Sequence, residues 1–241
     1  MTTRQLSRNF GGIQAVRDVD FVLLEGEICA IIGPNGAGKT TFFNLLSGIL
    51  MPSAGRIFLR DRDITQIPSR HLARLGIART FQSSAVFSGL TVFENVCVAA
   101  HARHPLQRGL FDLKHRRQIE HQSSRILERM EIAHLRDVNA GELSYGDQRV
   151  LEIAIALVGV PILLLLDEPT AGMSPLETER VVNLMRSLKT TLSVIVVEHD
   201  MDVVMDLADR VVVFDRGHPI ADGSPMQIER DPRVRAVYFG A

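Results

Sequence analysis

Gly33-Pro34-Asn35-Gly36-Ala37-Gly38-Lys39-Thr40-Thr41 is the stretch whose reading decides the fold, because it fits G-x-x-x-x-G-K-[ST], the phosphate-binding loop. Its setting agrees with the motif. Upstream, Glu27-Ile28-Cys29-Ala30-Ile31-Ile32 is a short apolar, β-branched run that reads as a buried strand, and Thr41 to Ser47 is a helical pattern closed by Gly48. Gly33, Gly36 and Gly38 let the backbone turn its N–H groups inward around an anion. The following helix adds roughly half a positive charge at its start. Lys39 is then placed to reach β- and γ-phosphates, and the Thr40 hydroxyl to ligate Mg²⁺.

Working upstream, Val19 to Leu24 reads as a strand, Glu25-Gly26 as a tight turn and Glu27 to Ile32 as its hairpin return. Phe10-Gly11-Gly12 reads as a loop, with Phe10 a half-buried aromatic on residue type alone. Downstream, Arg56 to Arg60 alternates like an exposed edge strand. Pro68 to Leu75 reads as a short helix, and Ile77 to Thr80 as a strand leading into Phe81-Gln82. From Ser83 to about Leu143 no strand pattern occurs. Val92–Ala100 and Arg116–Ile132 read as helices around a loop at Arg103–Gly109, which predicts a helical insertion. Histidines 71, 101, 104, 115, 121 and 134 lie in or near this block without metal-ligand spacing and are expected at the surface.

Ser144 and Asp147 supply capping chemistry for a helix over Gln148–Val158. Pro161–Leu166 is apolar throughout, as a central parallel strand is, and ends in Asp167-Glu168-Pro169. Pro175–Leu188 reads as a helix and Ser193–Val197 as a second buried strand, ending in Glu198-His199-Asp200. Met201–Ala208 is then helix, Arg210–Phe214 strand, Gly217-His218-Pro219 a turn, and short helices begin near Pro225 and Pro232. Alternation of apolar strands with helices implies an α/β fold with a mainly parallel sheet flanked by helices. The expected divisions are an antiparallel β subdomain and phosphate-loop core over 1–82, a helical subdomain over 83–143, and a return to the α/β core over 144–241.

In such sheets ligands bind beyond the carboxyl ends of the strands. The phosphate loop, Asp167-Glu168 and His199 all sit there. Asp167 is expected to join Thr40 in a Mg²⁺ shell. Glu168, one residue on, is expected to be a general base for an attacking water, a role that contributes ~10²–10⁴-fold. His199 is a candidate γ-phosphate contact or water orienter, and Gln82 a candidate metal or water ligand.

Composition excludes other classes. The 241 residues carry 27 basic and 28 acidic side chains, leaving no basic field for gripping nucleic acid. Cys29 and Cys97, each among apolar residues, are expected to be buried reduced thiols of a cytosolic protein. The N-terminal residues show no signal-peptide pattern. The apolar run Ile153–Leu166 is interrupted by Gly159 and Pro161, and it falls short of the roughly 18 residues a membrane span needs.

Gly33–Thr41, Gln82, Leu143-Ser144-Tyr145-Gly146-Asp147-Gln148, Leu163–Pro169 and His199 occur in the order found in ATP-binding cassette (ABC) ATPases, and the chain resembles that family over nearly its whole length. The resemblance implies ATP and Mg²⁺ as ligands, with Phe10 stacked on adenine. Gly33, Asn35, Gly36, Gly38, Lys39, Thr40 and Thr41 would cradle the phosphates, and Gln82 would touch the metal and relay its state. Glu168 would be the catalytic base and His199 the γ-phosphate contact. It also implies a head-to-tail dimer in which Ser144 and Gly146 bind the γ-phosphate held by a second subunit. Two features depart from the family pattern. The usual signature has two central glycines and a Gln where Tyr145, Gly146 and Asp147 stand here, and the loop after the base, Ala171-Gly172-Met173-Ser174-Pro175, lacks the usual Asp.

Gly76–Gln82, Val92–Val96 and the ending Pro219–Gly223 with Asp231–Val234 resemble the ATPases of bacterial branched-chain amino acid importers. That implies an ATPase on the inner face of the cell membrane, serving two membrane-spanning permease subunits. Its other partners would be a second ATP-binding subunit, identical or similar, and indirectly an external solute-binding protein. The solute itself is not encoded here. The alternative is a soluble ABC ATPase of a cytosolic assembly machine, of the iron–sulfur cluster type. A GTPase is disfavoured because no N-K-x-D occurs.

Overall fold

The computed structural model describes residues 1–80, 86–103 and 113–239. Five strands form the parallel body of a six-stranded sheet: β3 (Ile28–Ile32), β6 (Ile77–Arg79), β7 (Leu163–Asp167), β8 (Ser193–Val197) and β9 (Arg210–Asp215). With β10 (His218–Gly223) antiparallel at one edge, the order is β10-β9-β3-β8-β7-β6. β3, β7 and β8 are buried at every position, as their unbroken apolar sequences require of central parallel strands. Alternate residues serve two separate cores. Ile28, Ala30, Leu164, Leu166, Val194 and Val196 face the core built by the later helices, whereas Cys29, Ile31, Leu163, Leu165 and Ile195 face the other.

That second core lies under an antiparallel sheet of β1 (Thr2–Phe10), β2 (Ile13–Val22), β4 (Ala54–Leu59) and β5 (Arg62–Asp63), ordered β2-β1-β4-β5. Helix α1 (Lys39–Leu46), which starts straight from the phosphate loop, buries Phe42 and Phe43 between the sheets. Phe42 meets Phe21 edge-on at 5.6 Å and lies 5.0 Å from Phe214, so three elements close on one ring.

Several expectations are corrected. The hairpin lies one step earlier than predicted: β1 and β2 pair through the turn at Gly11-Gly12, while β2 and β3 belong to different sheets. β3 is buried on both faces, so it takes parallel neighbours from far along the chain, β8 and β9, and not the antiparallel strand beside it in sequence. Residues 56–60 are not an edge strand, because β4 lies between β1 and the two-residue β5. The predicted turn at 217–219 is in part β10, an edge strand that carries Pro219 where no further neighbour needs its missing N–H.

The helical block contains α3 (Val92–Arg103) and α4 (Leu113–Arg129), separated by residues that lie outside the described set. Asn95, 1 % exposed, organises its start: its amide accepts from Phe87 N–H at 2.8 Å and donates to Phe87 and Thr91 carbonyls. Short helices α2 (Ser69–Leu72), α7 (Met201–Leu207), α8 (Pro225–Arg230) and α9 (Pro232–Phe239) complete the connections, together with α5 (Tyr145–Leu157) and α6 (Pro175–Leu188). Cys29 is buried as expected, but Cys97 is half-buried, with its sulfur 3.4 Å from the Ser123 hydroxyl. Among the described residues no helix is long and apolar enough to cross a membrane.

Candidate active site

Parallel register brings the candidate residues together. Ile31 of β3 and Asp167 of β7 both stand beside Val197 of β8. Gly33, Glu168 and Glu198-His199 therefore leave the sheet along one edge.

The loop at Gly33–Gly38 could be built by few sequences. Gly38 has φ +98°, and a Cβ there would lie 2.4 Å from the Ala15 carbonyl. Gly33 has φ +149°, and its Cβ would lie 2.2 Å from the Phe214 carbonyl. The backbone thus packs directly on β2 and β9, leaving Asn35, Gly36 and Thr40 exposed. Gly38 caps α1 without a side-chain acceptor, and no acid stands in the first turn. The positive start of that helix is left for an anion. Lys39 is only 6 % exposed, its ammonium folded onto the carbonyls of Gly33 at 2.6 Å and Pro34 at 3.0 Å. Burial pulls its pKa down, while Glu168 and Asp167 pull it back up.

Strand alternation turns Asp167 toward α1, where it is 4 % exposed and 3.4 Å from the Arg79 guanidinium. Burial raises the Asp167 carboxyl above its ordinary range and Arg79 counters it. Arg79 also donates to Asn44 at 2.6 Å and Ser47 at 2.7 Å and stacks on Phe43, tying the strand before Gln82 to both the phosphate-loop helix and Asp167. Glu168 departs from the strand with φ +48°, unusual for a non-glycine. Its N–H donates to the Val197 carbonyl at 2.9 Å, and its Oε1 lies 2.7 Å from His199 Nε2. Beneath them Glu198, 3 % exposed, accepts from Thr170 N–H and Oγ1 at 3.1 and 2.6 Å and from its neighbour's N–H at 3.0 Å, fixing the two strand ends to each other.

Phe10 ends β1, not a loop, and is 43 % exposed, with the Arg8 guanidinium 4.7 Å from its ring centre. Ser144 caps α5, and Gly146 lies in its first turn. Gln82 lies outside the described residues. Among the described residues no three His, Cys, Asp or Glu side chains converge on a cation. A Mg²⁺ at Thr40 and Asp167 is nonetheless a fit, since those are hard oxygen donors and Mg²⁺ commonly takes one or two protein oxygens with substrate phosphates.

Sequence reading passed over Arg79, Glu198 and Tyr238. The last meets the backbone of Gly33 from α9, and burial raises its phenol. An acid at 198 directly after five buried strand residues was the available signal for Glu198. Arg79 and Tyr238 gave none, because their partners are distant in sequence.

The ABC transporter family profile matches residues 16–171. The chain is 41 % identical over 250 residues to the high-affinity branched-chain amino acid transport ATP-binding protein LivG of Escherichia coli K12, covering all of this chain and 97 % of that one. It is 40 % identical over 244 residues to BraF of Pseudomonas aeruginosa, a protein described in the same words, covering 98 % and 95 %. The ADP conformation of MJ1267, an ATP-binding cassette of an ABC transporter, superposes with TM-score 0.89 at 30 % identity, over 100 % of this chain and 98 % of that one. With the phosphate loop, the α/β core and the antiparallel sheet in place, these likenesses assign the chain to the ABC transporter family, as an ATP-binding, ATP-hydrolysing subunit.

Proposed function

We propose that this chain is the motor of an importer for branched-chain amino acids or related small polar solutes. It would work at the inner face of the membrane, on two permease subunits and with a second ATP-binding subunit. The observation that carries the chemistry is the single sheet edge from which Lys39, Asp167, Glu168 and His199 emerge. The solute class rests on what LivG and BraF are named for. Relatives that are transport proteins by name do not favour the cytosolic assembly alternative.

On this reading the units are those drawn from the sequence, 1–82, 83–143 and 144–241. Phe10 offers its ring to adenine, and Gly33, Asn35, Gly36, Gly38 and Thr41 hold the phosphates by backbone and hydroxyl. Lys39 exchanges its two carbonyl partners for β- and γ-phosphate oxygens. Thr40, Asp167 and Gln82 would hold Mg²⁺, which would supply charge neutralisation for the phosphates. Glu168 takes the proton of the attacking water at a carboxylate oxygen, and His199, 2.7 Å away, orients it and meets the γ-phosphate. Ser144 and Gly146 serve the nucleotide of a second, head-to-tail subunit.

The test is an affinity capture of the Glu168→Gln protein from native membranes with ATP and Mg²⁺, followed by identification of the co-purifying chains. Two polytopic membrane proteins with a second ATPase are expected. Recovery of soluble assembly proteins alone would remove transport from the reading and leave the ATPase chemistry.

A further inference from the structure

The start of α5 is already satisfied by acids of its own chain. The Ser144 hydroxyl donates to Asp147 Oδ2 at 2.8 Å, and the other Asp147 oxygen accepts from Arg180 at 2.7 Å. The Gly146 N–H, which has no acceptor within its helix, donates to Glu177 Oε1 at 3.2 Å. The second Glu177 oxygen accepts from the Ser174 N–H at 2.9 Å and hydroxyl at 2.7 Å. The fit is close: a Cβ at position 146 would lie 2.7 Å from Glu177 Oε1 and 2.9 Å from its Cγ. The bare backbone at Gly146 therefore makes room for this acid.

We propose that Glu177 and Asp147 are resident anions on the Ser144 and Gly146 donors, which an incoming phosphate must displace, and that they set how tightly two nucleotide-loaded copies associate. This rests on the shared-site reading above.

Both acids point at donors where a helix start favours negative charge. A γ-phosphate needing the same N–H and hydroxyl meets two carboxylates there, and like charges at hydrogen-bond range repel. Bonds from Ser174, and then from Gly146, hold the Glu177 carboxyl below its usual range, so it is an anion at neutral pH. Capping of α6 does not explain that charge. The Ser174–Glu177 box has a neutral counterpart in this chain, Ser224–Gln227, which caps α8 with the same reciprocal bonds. What the carboxylate adds is a charged acceptor for Gly146, reaching from the segment 171–177 to the α5 start. Asp147 plays the matching part on Ser144. Its departure from the family's usual Gln thus gains a physical role.

The experiment compares ATP-driven self-association of full-length Glu168→Gln with that of Glu168→Gln/Glu177→Gln and Glu168→Gln/Asp147→Asn. Sedimentation with ATP and Mg²⁺ gives the association constant, and a fluorescent ATP analogue gives the affinity of the single copy. Each added amide is expected to tighten association about fivefold, the upper range for one partly exposed charge. Nucleotide affinity should stay as in Glu168→Gln in both, and melting temperature should stay in Glu168→Gln/Glu177→Gln, since Gln227 shows that the box survives an amide. Association equal to or weaker than that of Glu168→Gln, with nucleotide affinity intact, would overturn the proposal. The acid would then be a cap only, or a favourable contact between copies. Failure of Glu168→Gln itself to associate is a separate result, seen before either acid is changed: it would overturn this inference, which is stated for two copies of the chain, and confine the shared site to a pairing with a similar second subunit.

Discussion

Glu168 is one position where backbone strain and proposed chemistry can be separated by substitution. Its φ of +48° places a non-glycine in the left-handed region, which costs an L-residue about 1–2 kcal/mol. Three replacements split that cost from the loss of the carboxylate. Gln keeps the backbone strain and removes the charge. Asn removes the charge and tolerates the left-handed region better than most residues. Gly removes the strain but costs about 0.5–1 kcal/mol of backbone entropy. The contact to His199 at 2.7 Å is between side chains 31 % and 45 % exposed, so its loss costs ~0.2–1 kcal/mol. A neutral Gln recovers only part of it. Asn should therefore exceed Gln in stability by about 0.5–1 kcal/mol, or ~1–4 °C in melting temperature for a chain of this size, with Gly between them. All three should lose at least about 10²-fold in ATP turnover. Thermal melts without nucleotide and a phosphate-release assay measure the two quantities on the same preparations. An Asn variant that melts at or below Gln would refute stored strain at 168, and turnover within tenfold of the parent would refute the base.

Lys39→Ala should abolish measurable ATP binding by titration calorimetry while the fold persists, because its ammonium bonds only two carbonyls of its own loop among the described contacts; retained micromolar affinity would contradict the loop assignment. Phe42→Ala, at a fully buried ring shared by α1 and both sheets, should cost about 3–5 kcal/mol in denaturant unfolding. For the C-terminal helix, Arg233 holds the Asp231 carboxyl down at about 2. A depressed carboxylate stabilises above its unfolded pKa and ceases to as pH falls through the folded value. Asp231→Asn should accordingly speed hydrogen exchange in α9 at pH 7, with the gap from the parent closing as pH falls from about 4 toward 2; a gap independent of pH would refute the ion pair.

The parts of the fold legible in the sequence are those whose cause is local. Pro175–Leu188 and Ser193–Val197 were found with the bounds the structure gives them. One begins with a Ser-Pro-x-Glu box, and the other is a β-branched run with no polar residue after Ser193. The misread hairpin is the opposite case. Two apolar runs around Glu25-Gly26 look like partners, and only the distant β8 and β9 reveal that the second run is a central parallel strand. β10 was missed because its pairing with β9 is interrupted by a register shift at Pro219–Ala221, and its burial does not alternate cleanly. At the candidate site, Lys39, Asp167, Glu168 and His199 carry their signals in residue type and strand-end position. The supporting groups act over long separations: Arg79 reaches Asp167 across 88 residues, Glu177 the Gly146 N–H across 31 and Glu198 the Thr170 N–H across 28. Glu198, an acid directly after a buried strand, carries a local signal, whereas nothing local announces the Arg79 contact.

Asp167 and Glu168 explain why adjacent acids can take unlike tasks. In an unbroken strand, neighbouring side chains point to opposite faces. Asp167 obeys that rule and turns to the α1 face, where Arg79 and the phosphate-loop helix meet it. A Glu168 that also obeyed it would turn into the core shared by Leu164 and Leu166, among apolar side chains, where an ionised carboxylate is very costly. The positive φ at 168 breaks the alternation at that residue, and the N–H bond to Val197 pins the break to the neighbouring strand. Glu168 is thereby lifted out of the sheet to the end of β8, beside His199. Local backbone strain of this kind persists where the surroundings over-determine it. Here the Val197 carbonyl, the Glu198–Thr170 bonds and Pro169 all constrain the same few atoms. The sheet thus positions one acid by its regularity and the other by a single enforced departure from it.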